Sequence, residues 1–132
     1  MGVLYRYKLD RLRRLAYTGI TSNTTYVPVG DPIGNESRQF LMQNLTDVGL
    51  IFTLDYNPTY PNALAEDASG NGTPDEIYVP SGGFFLSDVT SNLGYPSGNY
   101  IAAGAYFGVR ADSTLPSMGQ VCITVSHTGG IQ

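Results

Sequence analysis

Cys122 and His127 are the residue types that form a cysteine nucleophile with an imidazole base, and the 132-residue chain has one of each. A thiolate needs its base within hydrogen-bond reach. The two residues are five apart in a segment that alternates like a strand, and an odd separation puts them on opposite faces. We therefore interpret Cys122 as a small buried or interface side chain and His127 as a surface residue.

Carboxylates are the other side chains that could do chemistry, because a glycosidase uses a facing pair of them. The sequence contains no Trp that could serve as a sugar platform and no G-x-S-x-G motif. Asp75 and Glu76 are the pair that a hydrolase hypothesis would use, and nothing in the sequence shows that they face a substrate. We expect a protein that is not an enzyme.

A loop of acidic and amide residues follows part of a calcium-binding pattern, in which hard cations take oxygen ligands. The position that would carry a bidentate Glu is Tyr78, and no helix is predicted on either side. We interpret the loop as a Gly/Asn/Pro turn and predict no metal and no cofactor. The weak candidate ligands are Asp67, Ser69, Asn71 and Asp75, with Glu76 next in the chain.

Charge is distributed unevenly along the chain, whose net charge is −4. Residues 1–19 carry five basic residues against one acid, whereas residues 20–132 carry two basic residues against ten acids. We predict a basic N-terminal arm over residues 1–19 and a separate folded domain over residues 20–132. A basic arm on an acidic body can pair with a neighbouring acidic surface. The predicted partner-binding residues of the arm are Arg6, Lys8, Arg11, Arg13 and Arg14.

Short strands separated by turn residues follow the arm, and no sustained helical period appears after residue 20. Strands are predicted at residues 24–29, 38–44, 48–54, 76–79, 83–87, 100–105, 106–110 and 120–126. Phe40 and Met42 share one face of the second of these. Seven or eight such strands indicate an all-β fold, a small antiparallel β-sandwich of jelly-roll-like type with an extended basic arm.

Tyrosine is abundant, with ten residues, while charged residues make up 14% of the chain. A tyrosine combines apolar area with one hydroxyl and suits surfaces that are buried against a partner. Four tyrosines lie in or beside Pro/Gly/Asn loops and are predicted interface aromatics: Tyr56, Tyr60, Tyr95 and Tyr100. The alternative is that they fill the rim of the sandwich. Stacking on nucleic acid is disfavoured because the acidic body would repel phosphates.

Several segments, taken in order, resemble small β-sandwich structural proteins of tailed-bacteriophage virions. The N-x-T-D turn of Asn44–Asp47 is followed by a strand, and the P-x-G-G turn of Pro80–Gly83 by a strand that ends near Asp88. Segments 100–110 and 116–125 add the G-x-V strand that closes such a domain. The resemblance covers residues 38–126, and the insertion at 56–75 and the arm at 1–19 depart from it.

The resemblance implies a non-enzymatic virion protein that acts as repeated copies in a ring or symmetric cluster. We expect it at the neck or collar of the tail, docking through its arm on a portal, adaptor, tail or capsid protein. Decoration of the phage head is the alternative position. A carbohydrate- or calcium-binding β-sandwich module, using the 67–76 loop with Tyr60 and Tyr78, is the alternative of another class. No apolar stretch is long enough for a membrane span, so no membrane partner is expected.

Overall fold

The computed structural model describes residues 5–34, 37, 39–54, 56, 76–88 and 104–130. A 3₁₀ turn at Tyr17–Gly19 follows the second strand. Within the described part of the chain, no helix has the length and apolar character needed to cross a membrane. The strands are β1 (Tyr5–Leu9), β2 (Arg13–Ala16), β3 (Val27–Pro28), β4 (Gln39–Asn44), β5 (Leu50–Thr53), β6 (Glu76–Val79), β7 (Phe84–Asp88), β8 (Gly108–Ala111) and β9 (Gln120–Gly130).

The strands pair as a nested series of antiparallel partners. β5 pairs with β6, β4 with β7, β3 with β8, and both β1 and β2 with β9. β4 also pairs with β9, and β5 also pairs with β8. These pairings give a five-stranded sheet in the order β1-β9-β4-β7, with β2 also on β9, and a four-stranded sheet in the order β3-β8-β5-β6. A nested hairpin divided between two facing sheets is the jelly-roll arrangement. The predicted all-β, jelly-roll-like antiparallel sandwich is confirmed.

Two differences separate the predicted strands from the observed ones. Residues 5–9 and 13–16 form strands on β9, so nine strands are described rather than seven or eight. The reason is that the alternating pattern of residues 3–10 finds a partner in the long β9. The strand predicted at residues 100–105 lies largely outside the described residues, and Gly104 stands in a turn with a φ of +90°.

The core lies between the two sheets and follows the alternation of each strand. Phe40 and Met42, which share one face of β4 as predicted, point into the core, and β9 contributes Val121, Ile123 and Val125. From the opposite sheet, Leu50 and Phe52 are fully buried. The Phe40 ring contacts that of Phe107, from the segment before β8, at a centroid distance of 5.7 Å. Each buried side chain of this size contributes about 1.5–3 kcal/mol to the free energy of unfolding.

Asn44 joins the two sheets at the corner where β4 turns into β5. Its side chain is fully buried, and Nδ2 donates hydrogen bonds to the carbonyl oxygens of Val48 at 2.8 Å and Val79 at 2.9 Å. Its Oδ1 accepts from the Thr46 N–H at 3.0 Å and from the Thr46 hydroxyl at 2.6 Å. Because Asn44 ends a strand of one sheet and Val79 ends a strand of the other, the amide fixes their relative position.

The corner also requires a glycine at position 119, where the chain enters β9. Gly119 has a φ of +94°, and a Cβ atom there would lie 2.0 Å from the carbonyl oxygen of Leu45. The close approach allows the Leu45 N–H to donate to the Gln120 carbonyl at 2.9 Å. The start of β9 is thereby locked against the same turn that Asn44 organises.

Replacing Asn44 by alanine should lower the free energy of unfolding by about 2–4 kcal/mol, because buried carbonyl and N–H groups lose their partners. Gln43→Ala is the matched control on the neighbouring, half-buried position and should change the value by less than about 0.5 kcal/mol. Urea unfolding monitored by circular dichroism measures both variants. Equal midpoints for the two would show that the corner network is dispensable.

Candidate functional site

The basic residues of the N-terminal segment lie along one edge of β9. Arg6 and Lys8 belong to β1, opposite Gly129 and His127, and Arg14 of β2 lies opposite Cys122. Arg11 lies in the link between the two strands. The predicted arm is therefore in contact with its own domain over the described residues, and its docking on another protein remains a prediction.

Arg13 is buried, with 5% of the residue exposed, and its guanidinium contacts its own chain. Nε donates to the Asp31 carbonyl at 2.9 Å, and Nη1 donates to the Arg11 carbonyl at 3.0 Å. Nη2 reaches the Pro32 carbonyl and the Asp10 carboxylate, both at 3.2 Å. Arg13 therefore fastens the link between β1 and β2 to the 30–34 segment. Its charge is engaged inside the chain.

Asp10 is the acidic partner of Arg13 in this arrangement. Partial burial raises the pKa of its carboxyl, but the Arg11 N–H, which donates to Oδ1 at 2.9 Å, and the Arg13 guanidinium outweigh that effect and lower it overall. Asp10 is thus ionised at neutral pH and neutralises Arg13. Of the five basic residues predicted to bind a partner, the exposed Arg11 and Arg14 are the two whose described side chains face solvent.

An open cleft of about 540 Å³ lies between the N-terminal segment and the 30–34 segment. Its walls are residues 10–14 together with Gly30, Asp31, Pro32 and Gly34. Arg11 and Arg14 bring positive charge to the cleft, while the exposed Asp31 brings negative charge beside them. The wall of the cleft therefore combines both signs of charge with apolar surface from Leu12 and Pro32.

Tyr56 is the one predicted interface tyrosine inside the described residues. It is half-buried, and its ring meets that of Tyr106 edge-on at a centroid distance of 5.8 Å. Tyr56 lies beside the glycine at position 108, where an added Cβ would be 3.0 Å from its Cβ and Cδ1 atoms. Tyr56 therefore packs within its own domain. Tyr60, Tyr95 and Tyr100 lie outside the described residues.

A polar cluster that was not predicted from the sequence lies on the outer face of the four-stranded sheet. The Tyr26 hydroxyl donates to Glu76 Oε2, and Arg110 Nη2 donates to the same oxygen at 3.0 Å. The Arg110 guanidinium also lies 5.6 Å from the centre of the Tyr26 ring, and its Nη1 donates to the Asn23 carbonyl at 2.8 Å. The cluster thus ties β6 to β8 across β5 and holds the segment before β3.

The protonation states of this cluster follow from its contacts. Burial and the hydrogen bond to Glu76 raise the pKa of Tyr26, so its phenol stays protonated at neutral pH. Partial burial raises the pKa of Glu76, but the hydrogen bonds from Tyr26 and Arg110 and the arginine charge lower it overall. The one feature of the sequence that could have indicated this cluster is Arg110, a charged residue that follows Val109 in an otherwise apolar strand. The sequence could not show which acid would pair with it.

The other residues considered for catalysis or metal binding form no site among the described residues. Cys122 is a buried free cysteine, and five residues of continuous strand place its Cα roughly 16 Å from that of His127. No group of three or more potential metal ligands occurs among the described residues. The weak calcium ligands Asp67, Ser69, Asn71 and Asp75 lie outside them, and Glu76 is paired with Arg110.

Comparison with known proteins gives a distant structural likeness. A scan against protein-family models and a search of curated proteins found no match. Among solved structures, the chain is similar to one in the "Cyanophage Pam1 capsid asymmetric unit", with a TM-score of 0.39 and 10% sequence identity. The alignment covers 100% of this chain and 89% of that chain.

The Glu76 cluster predicts a specific loss of stability in acid. A carboxylate whose pKa is lower in the folded state stabilises the fold above its ordinary pKa, near 4.5, and that contribution disappears as pH falls through the folded value. Glu76→Gln should therefore lose less stability than the wild type between about pH 5 and pH 3. The exposed Asp112, changed to Asn, is the control that should keep the wild-type slope.

Urea midpoints measured at several pH values test the prediction. Asp10 and Asp47 also have lowered pKa values, Asp47 through two hydrogen bonds from Ser117, so the variant should retain part of the pH dependence. A Glu76→Gln profile parallel to that of the wild type would contradict the assigned role of the cluster.

Proposed function

We propose that the protein is a structural protein of a tailed-phage virion that assembles as repeated copies and docks on neighbouring virion proteins through its N-terminal segment. The observation that carries the proposal is the cleft with two exposed arginines, Arg11 and Arg14, held at its rim by the buried Arg13. Such a rim offers charge and a shaped groove to a partner.

The distribution of charge supports docking on an acidic surface. Five of the seven basic residues fall in residues 1–19, while the remainder of the chain is strongly acidic. Identical copies can therefore place the basic segment of one against the acidic body of the next, and other acidic virion proteins offer the same surface. We propose the neck or collar over decoration of the head, because docking of one ring on another uses this asymmetry.

The topology is compatible with the proposal. Jelly rolls occur in viral capsid proteins, but also in lectin domains and cupins, so the fold by itself does not define a function. A more specific feature of this chain is that its buried polar side chains bond within their own domain. The Arg13, Asn44 and Arg110 side chains are all bonded to their own domain, and the side chains left at the surface are suited to contact.

Electron microscopy of intact particles labelled with an antibody against the protein should place the label at the junction of head and tail. Label spread over the head would instead favour decoration. Mass spectrometry of the purified particles is the accompanying control for presence of the chain. A particle that contains none of the protein would contradict a virion role.

Neutralising the cleft arginines should weaken association. In Arg11→Gln/Arg14→Gln, two positive charges are removed from exposed positions, so binding to an acidic face should fall by about tenfold at low salt. The control Ser113→Glu/Thr114→Glu changes the net charge equally on an exposed loop and should retain binding. Sedimentation velocity over a range of protein and salt concentrations measures the effect. Identical behaviour of the two double variants would contradict a role for the cleft.

A further inference from the structure

Strand β7 forms one side of the five-stranded sheet and is unusual for a strand in that position. Among the described strands it pairs with β4 alone, in the register Phe84 to Gln43 through Asp88 to Gln39. Edge strands in natural proteins usually carry Lys, Pro or a bulge that prevents pairing with another chain. The sequence of β7, Phe-Phe-Leu-Ser-Asp, has none of these devices before its final residue.

The apolar side chains of β7 are exposed on both faces of the sheet. Phe84 is 67% exposed and Leu86 55% exposed on the outer face, and Phe85 remains 36% exposed on the inner face although it stacks on Phe40. These three side chains leave roughly 300 Å² of apolar surface open to solvent. Consecutive apolar residues exposed along an edge that pairs with no other described strand are typical of a surface that pairs with another chain.

The hydrogen-bond phase of the strand determines which backbone groups face outward. The Asn44 N–H donates to the Gly83 carbonyl at 3.0 Å, next to the pair formed by Gln43 and Phe84. That bond makes Gln43 and Phe84 a non-hydrogen-bonded pair, and the two kinds of pair alternate along an antiparallel ladder. The backbone groups of Phe85 are therefore used by β4, while those of Phe84 and Leu86 point to the open edge.

We propose that β7 pairs antiparallel with β7 of a second copy about a two-fold axis at Phe85. In this register Phe84 lies opposite Leu86 of the second copy in both directions, and these two pairs exchange four backbone hydrogen bonds. The two Phe85 residues face each other in the close, non-hydrogen-bonded position between them. Every exposed apolar side chain of the strand meets an apolar side chain, which is the self-complementarity that a two-fold contact requires.

The neighbouring pairing register, with the two-fold axis at Leu86, gives a less favourable contact. An axis at Leu86 would place the carboxylate-bearing residue Asp88 opposite Phe84 of the second copy, setting a charge against an aromatic ring. With the axis at Phe85, Asp88 falls beyond the paired apolar residues. A second copy therefore fits this strand through its own sequence, and no other partner has to be invoked.

The contact rests on the proposed assembly of repeated copies and is expected to be weak alone. The apolar area of roughly 300 Å² per copy is less than half of the roughly 800 Å² that each partner gives to a stable interface. The joined sheets would then form where copies are concentrated, with the N-terminal segment supplying a separate contact. The experiment must accordingly cover high protein concentrations.

Leu86→Lys should weaken self-association by at least about tenfold, because it places a charge between the joined strands. Met118→Lys is the matched control, since Met118 is 61% exposed and lies outside the strand. Sedimentation equilibrium gives the association constants. Amide exchange followed by NMR gives a second measure: protection of the Phe84 and Leu86 amides should rise with protein concentration, while that of Phe85 should not change.

A wild-type protein that stays monomeric at the highest concentration, or equal association of the two lysine variants, would overturn the β7 contact. If Arg11→Gln/Arg14→Gln loses association while Leu86→Lys retains it, the β7 contact is wrong and the proposed function stands. If Leu86→Lys loses association but particles contain none of the protein, the contact stands and the virion role fails.

Discussion

The buried amide of Asn44 is the interaction on which the rest of the structure depends. A sandwich of two sheets holds together through non-directional apolar burial, which alone leaves the sheets free to slide. Asn44 adds direction, because its amide bonds two carbonyls and one N–H that belong to the turn and to the opposite sheet. Ser81 reinforces the corner by donating to the Thr46 carbonyl at 2.7 Å. The alignment of the core strands follows from this corner.

The parts of the fold that the sequence predicts are those with a local cause. Alternation predicted that Phe40 and Met42 share one face of β4, and the turn residues at 44–47 and 80–83 predicted where strands end. The destination of the N-terminal segment has no local cause, since its partner β9 begins more than a hundred residues later. The Tyr26, Glu76 and Arg110 cluster was missed for the same reason: its hydrogen bonds span 34 and 50 residues.

In the candidate site, residues of the same type have different roles because they differ in burial. Arg11, Arg13 and Arg14 read alike in the sequence, as members of one basic run. In the structure Arg13 is an internal support whose guanidinium donates to three carbonyls and to Asp10, and this support presents Arg11 and Arg14 at the cleft. Burial cannot be inferred from residue type in a run of charges, because a single residue facing inward changes the role of its neighbours. Tyr56, the one predicted interface tyrosine among the described residues, packs on Tyr106.

The nested pairing of strands has a consequence for how the chain acquires its structure. β9 lies between β1, β2 and β4, yet it is the last of the described strands to leave the ribosome. Until it is synthesised, β1 and β2 have no described strand to pair with, and β4 has one open edge. Closing contacts between the first and last described strands is entropically slow, so folding should wait for the synthesis of β9 and be governed by long-range contacts. A nascent chain would expose strand edges for that interval, when chaperone protection matters most.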